Sequence, residues 1–424
     1  MIQELKIKNF LSFKEEVVFS FEATSDKTLE DYYVHEPVKG VRLLKMAMIY
    51  GANASGKSNL IKAFDFFKYF IFKNVQNKDE KINFQAFEFD KTKEEHGELE
   101  LVFYVKDVKY VYSLELDKDF IYKEKLVFYP SVQPALIFDR TLNKNTSIIE
   151  FGAKIKISSI AKEEISLKTL KNSSVFSAYS QVNISIPELD AVYNWFKNQF
   201  MRSIDPYTNL TNYSDKFIAE NQKIKDFALK FIKEADFNIS DIKFKEQDLN
   251  VSDEMLQMFD KAPIPNSEKD RIKKERLVKF KETIFEHKII NNGKEEFYSL
   301  SDRQQSQGTM RYYGLSAPFY YALENDAFMS IDEIGSALHP LLVIHFIKEF
   351  LKKQGSAQLL FTTHNMSLLN EKDLLRKDAI WFTEKGKNGA TELSSISDYP
   401  DFRKELSYYN YYKNGKFGAI PELG

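Results

Sequence analysis

The sequence predicts an α/β fold: an N-terminal antiparallel β subdomain, a parallel-sheet core carrying a glycine-rich loop, and a mainly helical insertion. Three observations predict it. Apolar and polar residues alternate with period two near the start and again over residues 98–129. A nearly continuous apolar run over residues 43–50 leads into Gly51-Ala52-Asn53-Ala54-Ser55-Gly56-Lys57-Ser58, as in a strand covered on both faces. Two later apolar runs, ending at Asp332-Glu333 and at His364, read as further core strands.

The elements follow in order. Ile2-Leu5-Ile7 and Val17-Phe19-Phe21 read as strands joined by a turn with Phe10 and Phe13. Ser58 to Phe72 reads as a helix, with Leu60, Ile61, Phe64 and Phe67 on one face. Residues 98–129 read as an antiparallel meander turning near Lys106-Asp107 and Asp117-Lys118. From about residue 150 the texture turns helical. Pro187 stands at a first helical turn ahead of Leu189, Val192, Phe196 and Phe200, and Ile224, Phe227, Ala228 and Phe231 mark a second amphipathic helix. Residues 261–276, with Pro263, Pro265 and a mixed charge run, read as an exposed linker or short solvated helix, or else as a DNA-facing basic segment. A hairpin turning at Asn292-Gly293 is expected over residues 283–300. The expected domains are 1–150, an insertion at 151–282, a second lobe at 283–400 and a tail at 401–424.

Composition narrows the chemistry. The 424 residues are 43% hydrophobic and 29% charged, enough for a sizeable core and unlike a disordered chain. The net charge of −2 excludes a uniformly basic coat, although 60 Lys and Arg leave room for a local basic groove. The absence of cysteine excludes disulfides, thiol nucleophiles and thiolate zinc. Six histidines without an H-x-x-x-H pair argue against a zinc enzyme. No leader and no apolar run near the ~20 residues of a membrane span is read, so the expected setting is cytoplasmic, with no membrane partner.

Residues 51–58 fit G-x-x-x-x-G-K-[ST] between a strand and a helix. Gly51 and Gly56 let the loop wrap, so the N–H groups from Asn53 to Asn59 can face phosphate oxygens at a helix N-terminus. Lys57 neutralises phosphate charge, and the Ser58 hydroxyl can ligate Mg²⁺. Asp332, at the end of an apolar strand, would hold the metal through water, and Glu333 would act as general base toward the attacking water. His364 suits a γ-phosphate sensor. Ser306 and Gly308 precede an apolar helix and could offer hydroxyl and N–H donors to a phosphate; equally, Ser306 or Thr309 could simply cap that helix.

In this order the four elements resemble the ATPase head of ABC type, the class that includes SMC and RecF proteins. Ser306-Gln307-Gly308-Thr309 stands at the signature loop, Ser336-Ala337-Leu338-His339-Pro340 at the loop that meets a partner subunit, and His364 at the switch histidine. More closely, the chain resembles the ABC-like, AAA-family ATPases of bacterial phage-defence and abortive-infection modules, relatives of OLD-type ATPases. Lys8-Asn9-Phe10-Leu11-Ser12-Phe13 and the ending Tyr412-Lys413-Asn414-Gly415-Lys416-Phe417-Gly418-Ala419-Ile420-Pro421 belong to that resemblance. Gln305 stands where many relatives have Glu, and Gln85 is the candidate glutamine-loop residue, a further metal contact. The resemblance implies ATP and Mg²⁺ as ligands, slow hydrolysis, and a homodimer in which Ser306 and Gly308 of one chain complete the nucleotide site of the other. It also implies an effector partner such as a Toprim-like nuclease in antiviral defence. A DNA-clamping repair ATPase of RecF or SMC kind and a nucleotide-gated scaffold with negligible turnover are the competing readings.

Overall fold

The computed structural model describes residues 1–235, 237–262, 264–399 and 407–420. The strands of the N-terminal half are β1 (Ile2–Lys8), β2 (Val17–Ser20), β3 (Val34–His35), β4 (Leu43–Leu44), β5 (Met46–Gly51), β6 (Gly97–Val105), β7 (Val108–Leu116), β8 (Ile121–Tyr129), β9 (Ala135–Asn143) and β10 (Thr146–Phe151). Then come β11 (Ile239–Asn250), β12 (Leu277–Asn291), β13 (Lys294–Ser301), β14 (Phe328–Ile331), β15 (Gln358–Thr362), β16 (Ile380–Lys385) and β17 (Thr391–Ser395). Two compact units form: residues 1–208 with 321–424, and residues 209–320.

The first unit holds two sheets. One is antiparallel, in the order β10-β9-β8-β7-β6-β1-β2. The meander turns at Lys106-Asp107, where Lys106 takes φ +55°, and it continues two strands beyond residue 129. The other sheet has the order β14-β15-β5-β16-β17, parallel except for its β17 edge. Every residue of β5 is buried, as a central strand between helical layers requires. The helix Lys57–Phe72 follows β5, and the helix Pro340–Lys352 makes the crossover from β14 to β15.

Residues 151–208 were expected in the insertion but pack within this unit. Their aromatic residues bury against the antiparallel sheet: Trp195 stacks on Phe103 at 4.5 Å and Phe176 meets Tyr112 edge-on at 5.6 Å. A fully buried ion pair fastens the connection. Arg140 Nη1 donates to Glu124 (3.1 Å) and to the Ser173 carbonyl (2.6 Å), and Nη2 donates to the Leu170 carbonyl (2.8 Å). Glu124 in turn accepts from the Val175 N–H and the Tyr112 hydroxyl. Burial raises the Glu124 carboxyl, and the Arg140 guanidinium opposes that rise.

The second unit combines helices with a small sheet. Its sheet, β11-β12-β13, is antiparallel. β12 and β13 form the expected hairpin, with Asn292 and Gly293 at φ +50° and +77°, the two positive φ values of a type I′ turn. β11 escaped the sequence reading because its second half, Lys245 to Asn250, is exposed or half-exposed and lacks apolar alternation. The helix Gln222–Glu234 packs on Gln307–Glu324 in this unit through Phe231, stacked on Tyr312 at 4.3 Å. The charge run forms a short helix, Asn266–Glu275, with only Ile272 buried; Pro263 lies outside the described residues. Of the tail, residues 401–406 and 421–424 lie outside the described residues as well, while Tyr412 and Phe417 stack on Phe382 of β16. No helix among the described residues is long and apolar enough to cross a membrane.

Candidate functional site

The glycine-rich loop emerges at the carboxyl end of β5, where ligands of parallel sheets bind. Ala54 and Gly56 take φ +61° and +109°, which turns the chain into the helix starting at Lys57. Neighbouring hydroxyls brace the loop. Ser55 Oγ lies 2.6 Å from Thr383 Oγ1 on β16. Thr391 Oγ1 on β17 donates to the Ser55 carbonyl (2.8 Å) and lies 2.7 Å from Ser12 Oγ, which also accepts from Asn59 Nδ2 (2.8 Å). A Cβ at Gly56 would come within 2.2 Å of Thr391 Oγ1, on top of an unfavourable left-handed backbone. Gly56→Ala is therefore expected to destabilise the chain by about 1–3 kcal/mol, read as a lowered melting temperature; an unchanged melt would show that the loop relaxes freely.

Lys57 is 5% exposed. Its Nζ donates to the Gly51 and Ala52 carbonyls, each at 2.9 Å. Burial brings its pKa down to about 8, against the pull of Glu333 and Asp332. The amine is thus anchored at the loop mouth by partners that an anion could replace.

Asp332 and Glu333 follow β14. The Asp332 N–H donates to the Ile204 carbonyl (2.8 Å). Thr362 at the end of β15 orders the pair: its Oγ1 accepts from the Glu333 N–H (2.7 Å) and donates to Asp332 Oδ1 (2.6 Å). Glu333 sits at φ +50°, a conformation a non-glycine residue adopts at a cost. Its Oε1 lies 3.0 Å from His364 Nε2. The carboxylate and the imidazole are therefore within hydrogen-bonding reach of each other.

A cleft of about 640 Å³ joins these parts, within the size of ligand sites generally. Asn53, Ala54, Ser55, Gly56, Lys57, Ser58, Asn59, Gln85, Glu333 and His364 all line it. Gly51 lines an adjoining hollow, and Asp332 lines neither, its Oδ1 accepting from Thr362 Oγ1. Ser306 and Gly308 belong to the second unit. There Ser306 Oγ accepts from the Thr309 N–H (3.1 Å) and caps the helix Gln307–Glu324. Sequence reasoning missed Thr362, Thr383 and Thr391. Only the position of Thr362, two residues before His364, could have suggested a site role; the other two become neighbours of the loop through sheet pairing.

A strand, a phosphate-type loop and a helix, with a carboxylate pair just after a parallel strand, define a P-loop ATPase domain. The chain belongs to the family described as "AAA domain, putative AbiEii toxin, Type IV TA system", which matches residues 46–370. Among solved structures it is similar to the SMC head domain from Thermotoga maritima, at 15% identity, over 93% of this chain and 98% of that one, with a TM-score of 0.40. It is also similar to an SMC head bound to the C-terminal winged-helix domain of ScpA, at 14% identity, over 96% and 99%, with a TM-score of 0.42. The third is an SMC head with an extended coiled coil bound to the C-terminal domain of ScpA, derived from Pyrococcus furiosus, at 16% identity, over 98% of both chains, with a TM-score of 0.33. Comparison with curated proteins finds no match.

Proposed function

We propose that the chain binds ATP in this cleft, hydrolyses it slowly, dimerises around it, and so regulates a nuclease-type effector in bacterial antiviral defence. The observation that carries the reading is Lys57 held on its own loop's carbonyls, in one cleft with the Glu333–His364 pair. A triphosphate entering the loop takes the place of those carbonyls and gains the helix-terminal N–H groups. Ser58 and Asp332, with Gln85 at the cleft wall, offer the oxygen donors that Mg²⁺ prefers; the ion would neutralise charge on the phosphate oxygens. Glu333 orients and deprotonates water, and His364 holds Glu333 and faces the terminal phosphate. Ser306 and Gly308 of a second copy would close over the same phosphate, so loss of that phosphate weakens the dimer. The family's description, "putative AbiEii toxin, Type IV TA system", is consistent with the defence setting.

The test is nucleotide binding and assembly. The wild-type chain is expected to bind ATP with Mg²⁺ and to elute as a dimer on size-exclusion chromatography; Lys57→Ala is expected to do neither. An ATP-insensitive wild-type chain would sink the proposal, and a partner recovered in pull-downs only with ATP would identify the effector.

Affinity is also expected to depend on pH through Lys57. Its free-state pKa is about 8, and phosphate raises it on binding, so the complex takes up a proton above that pH. Affinity is therefore full below pH 8 and falls as pH rises past it, by up to about tenfold per pH unit. Titration from pH 6.5 to 9.5 checks this; in Lys57→Arg the fall should vanish, because a guanidinium stays charged.

A further inference from the structure

The cleft continues past the phosphate loop to an aromatic wall, and the geometry points to Phe89 as the seat of a nucleobase, with Lys385 beside it. The inference rests on the nucleotide reading above and names how that site would hold the base.

Phe89 is 67% exposed although it is a large apolar side chain. Single exposed apolar residues are ordinary, so exposure alone says little. Its seat says more. Phe89 lines the same cleft as Lys57, Ser58 and Glu333. The neighbouring Phe87 is buried and meets its ring edge-on at 5.5 Å and 89°. The turn between β16 and β17 closes the other side. There Gly389 takes φ +80°, and a Cβ on it would come within 2.5 Å of the Phe89 ring. The turn is held by two backbone bonds, Gly386 N–H to the Ala390 carbonyl and Gly389 N–H to the Gly386 carbonyl, each 2.8 Å. Lys385 Nζ lies over the ring, 5.4 Å from its centroid. The ring is thus positioned from two directions by residues of the cleft wall, with much of its surface open.

A heteroaromatic ring is the ligand class that such a surface takes best. An aromatic face recognises any base by stacking, and a purine offers the larger overlap. Lys385 adds a cation at the face of the ring. The triphosphate end and the aromatic end belong to one continuous cleft, so a single nucleoside triphosphate would engage both. Neither end needs the other to be built: the loop is braced by Ser12, Thr383 and Thr391, and the ring by Phe87 and Gly389.

The test compares two ligands. Calorimetric titration with ATP and with inorganic tripolyphosphate, both with Mg²⁺, is run on wild type, Phe89→Ala and Phe89→Trp. Stacking of one base predicts that Phe89→Ala loses roughly 5- to 150-fold in ATP affinity, keeps its tripolyphosphate affinity, and is rescued by Phe89→Trp. If wild type binds ATP and Phe89→Ala binds it equally well, the base lies elsewhere and the inference is overturned. If Phe89→Ala loses both ligands alike, the ring is a structural support and the inference is overturned. If wild type binds neither ligand, the nucleotide reading itself fails first, and that result is distinct from the other two.

Discussion

In Glu333→Gln, phosphate release is expected to fall about 10²–10⁴-fold while ATP binding persists and the dimer accumulates. The amide is isosteric with the carboxylate, so the backbone at φ +50° and the hydrogen bond from the Glu333 N–H to Thr362 have no reason to change. What is lost is the basic oxygen that lies 3.0 Å from His364. Lys57, Ser58 and the loop N–H groups that would hold the triphosphate are untouched. Binding and chemistry therefore separate: Lys57→Ala removes the first, Glu333→Gln the second. Phosphate release and size-exclusion chromatography, each run with ATP and Mg²⁺, check the two halves. A Glu333→Gln chain that turned over at the wild-type rate would remove Glu333 from the chemistry. One that bound ATP but stayed monomeric would remove the clamp and leave an ordinary ATP-binding domain.

Arg140→Ala is expected to be the most damaging substitution away from the cleft. Arg140 and Glu124 are both fully buried, and each satisfies the other as well as backbone groups of residues 170–175. Removing the guanidinium leaves a buried carboxylate without its cation and the Ser173 and Leu170 carbonyls without that donor. Breaking such a pair costs about 3–5 kcal/mol, which would lower the melting temperature of the first unit on the order of 10 °C. Glu124→Leu combined with Arg140→Met removes both charges and is expected to recover part of the loss, since two apolar groups bury without an uncompensated charge. Thermal melts of the three variants decide this. An unchanged melt for Arg140→Ala would mean that water reaches Glu124 and that residues 170–175 are fastened by their aromatic neighbours alone.

Much of the fold was legible because its signals are local. The buried strand at residues 46–51 announces itself as an uninterrupted apolar run, and the Lys106-Asp107 and Asn292-Gly293 turns lie between alternating strands. The loop at 51–58 has a spacing that fits a tight turn between a strand and a helix. The extent of the insertion was harder to read. Residues 159–198 look like any amphipathic helices, and nothing local says that Trp195 and Phe176 face the antiparallel sheet. β11 was missed because a pairing strand that stays wet carries no apolar period.

The sequence alone determined the candidate groups: Lys57, Ser58 and the loop amides as donors toward phosphate, and the adjacent pair Asp332-Glu333 with His364 as the acid–base set. Tertiary structure decided how they work together. Parallel pairing of β14, β15 and β5 brings the carboxylates beside the loop, and Thr362 sets their angle. The turn after β16 brings Lys385 and Gly389 against Phe89. Residues hundreds of positions apart become neighbours only through sheet register, a long-range property, whereas the loop's own shape is fixed by glycines within a few residues of each other.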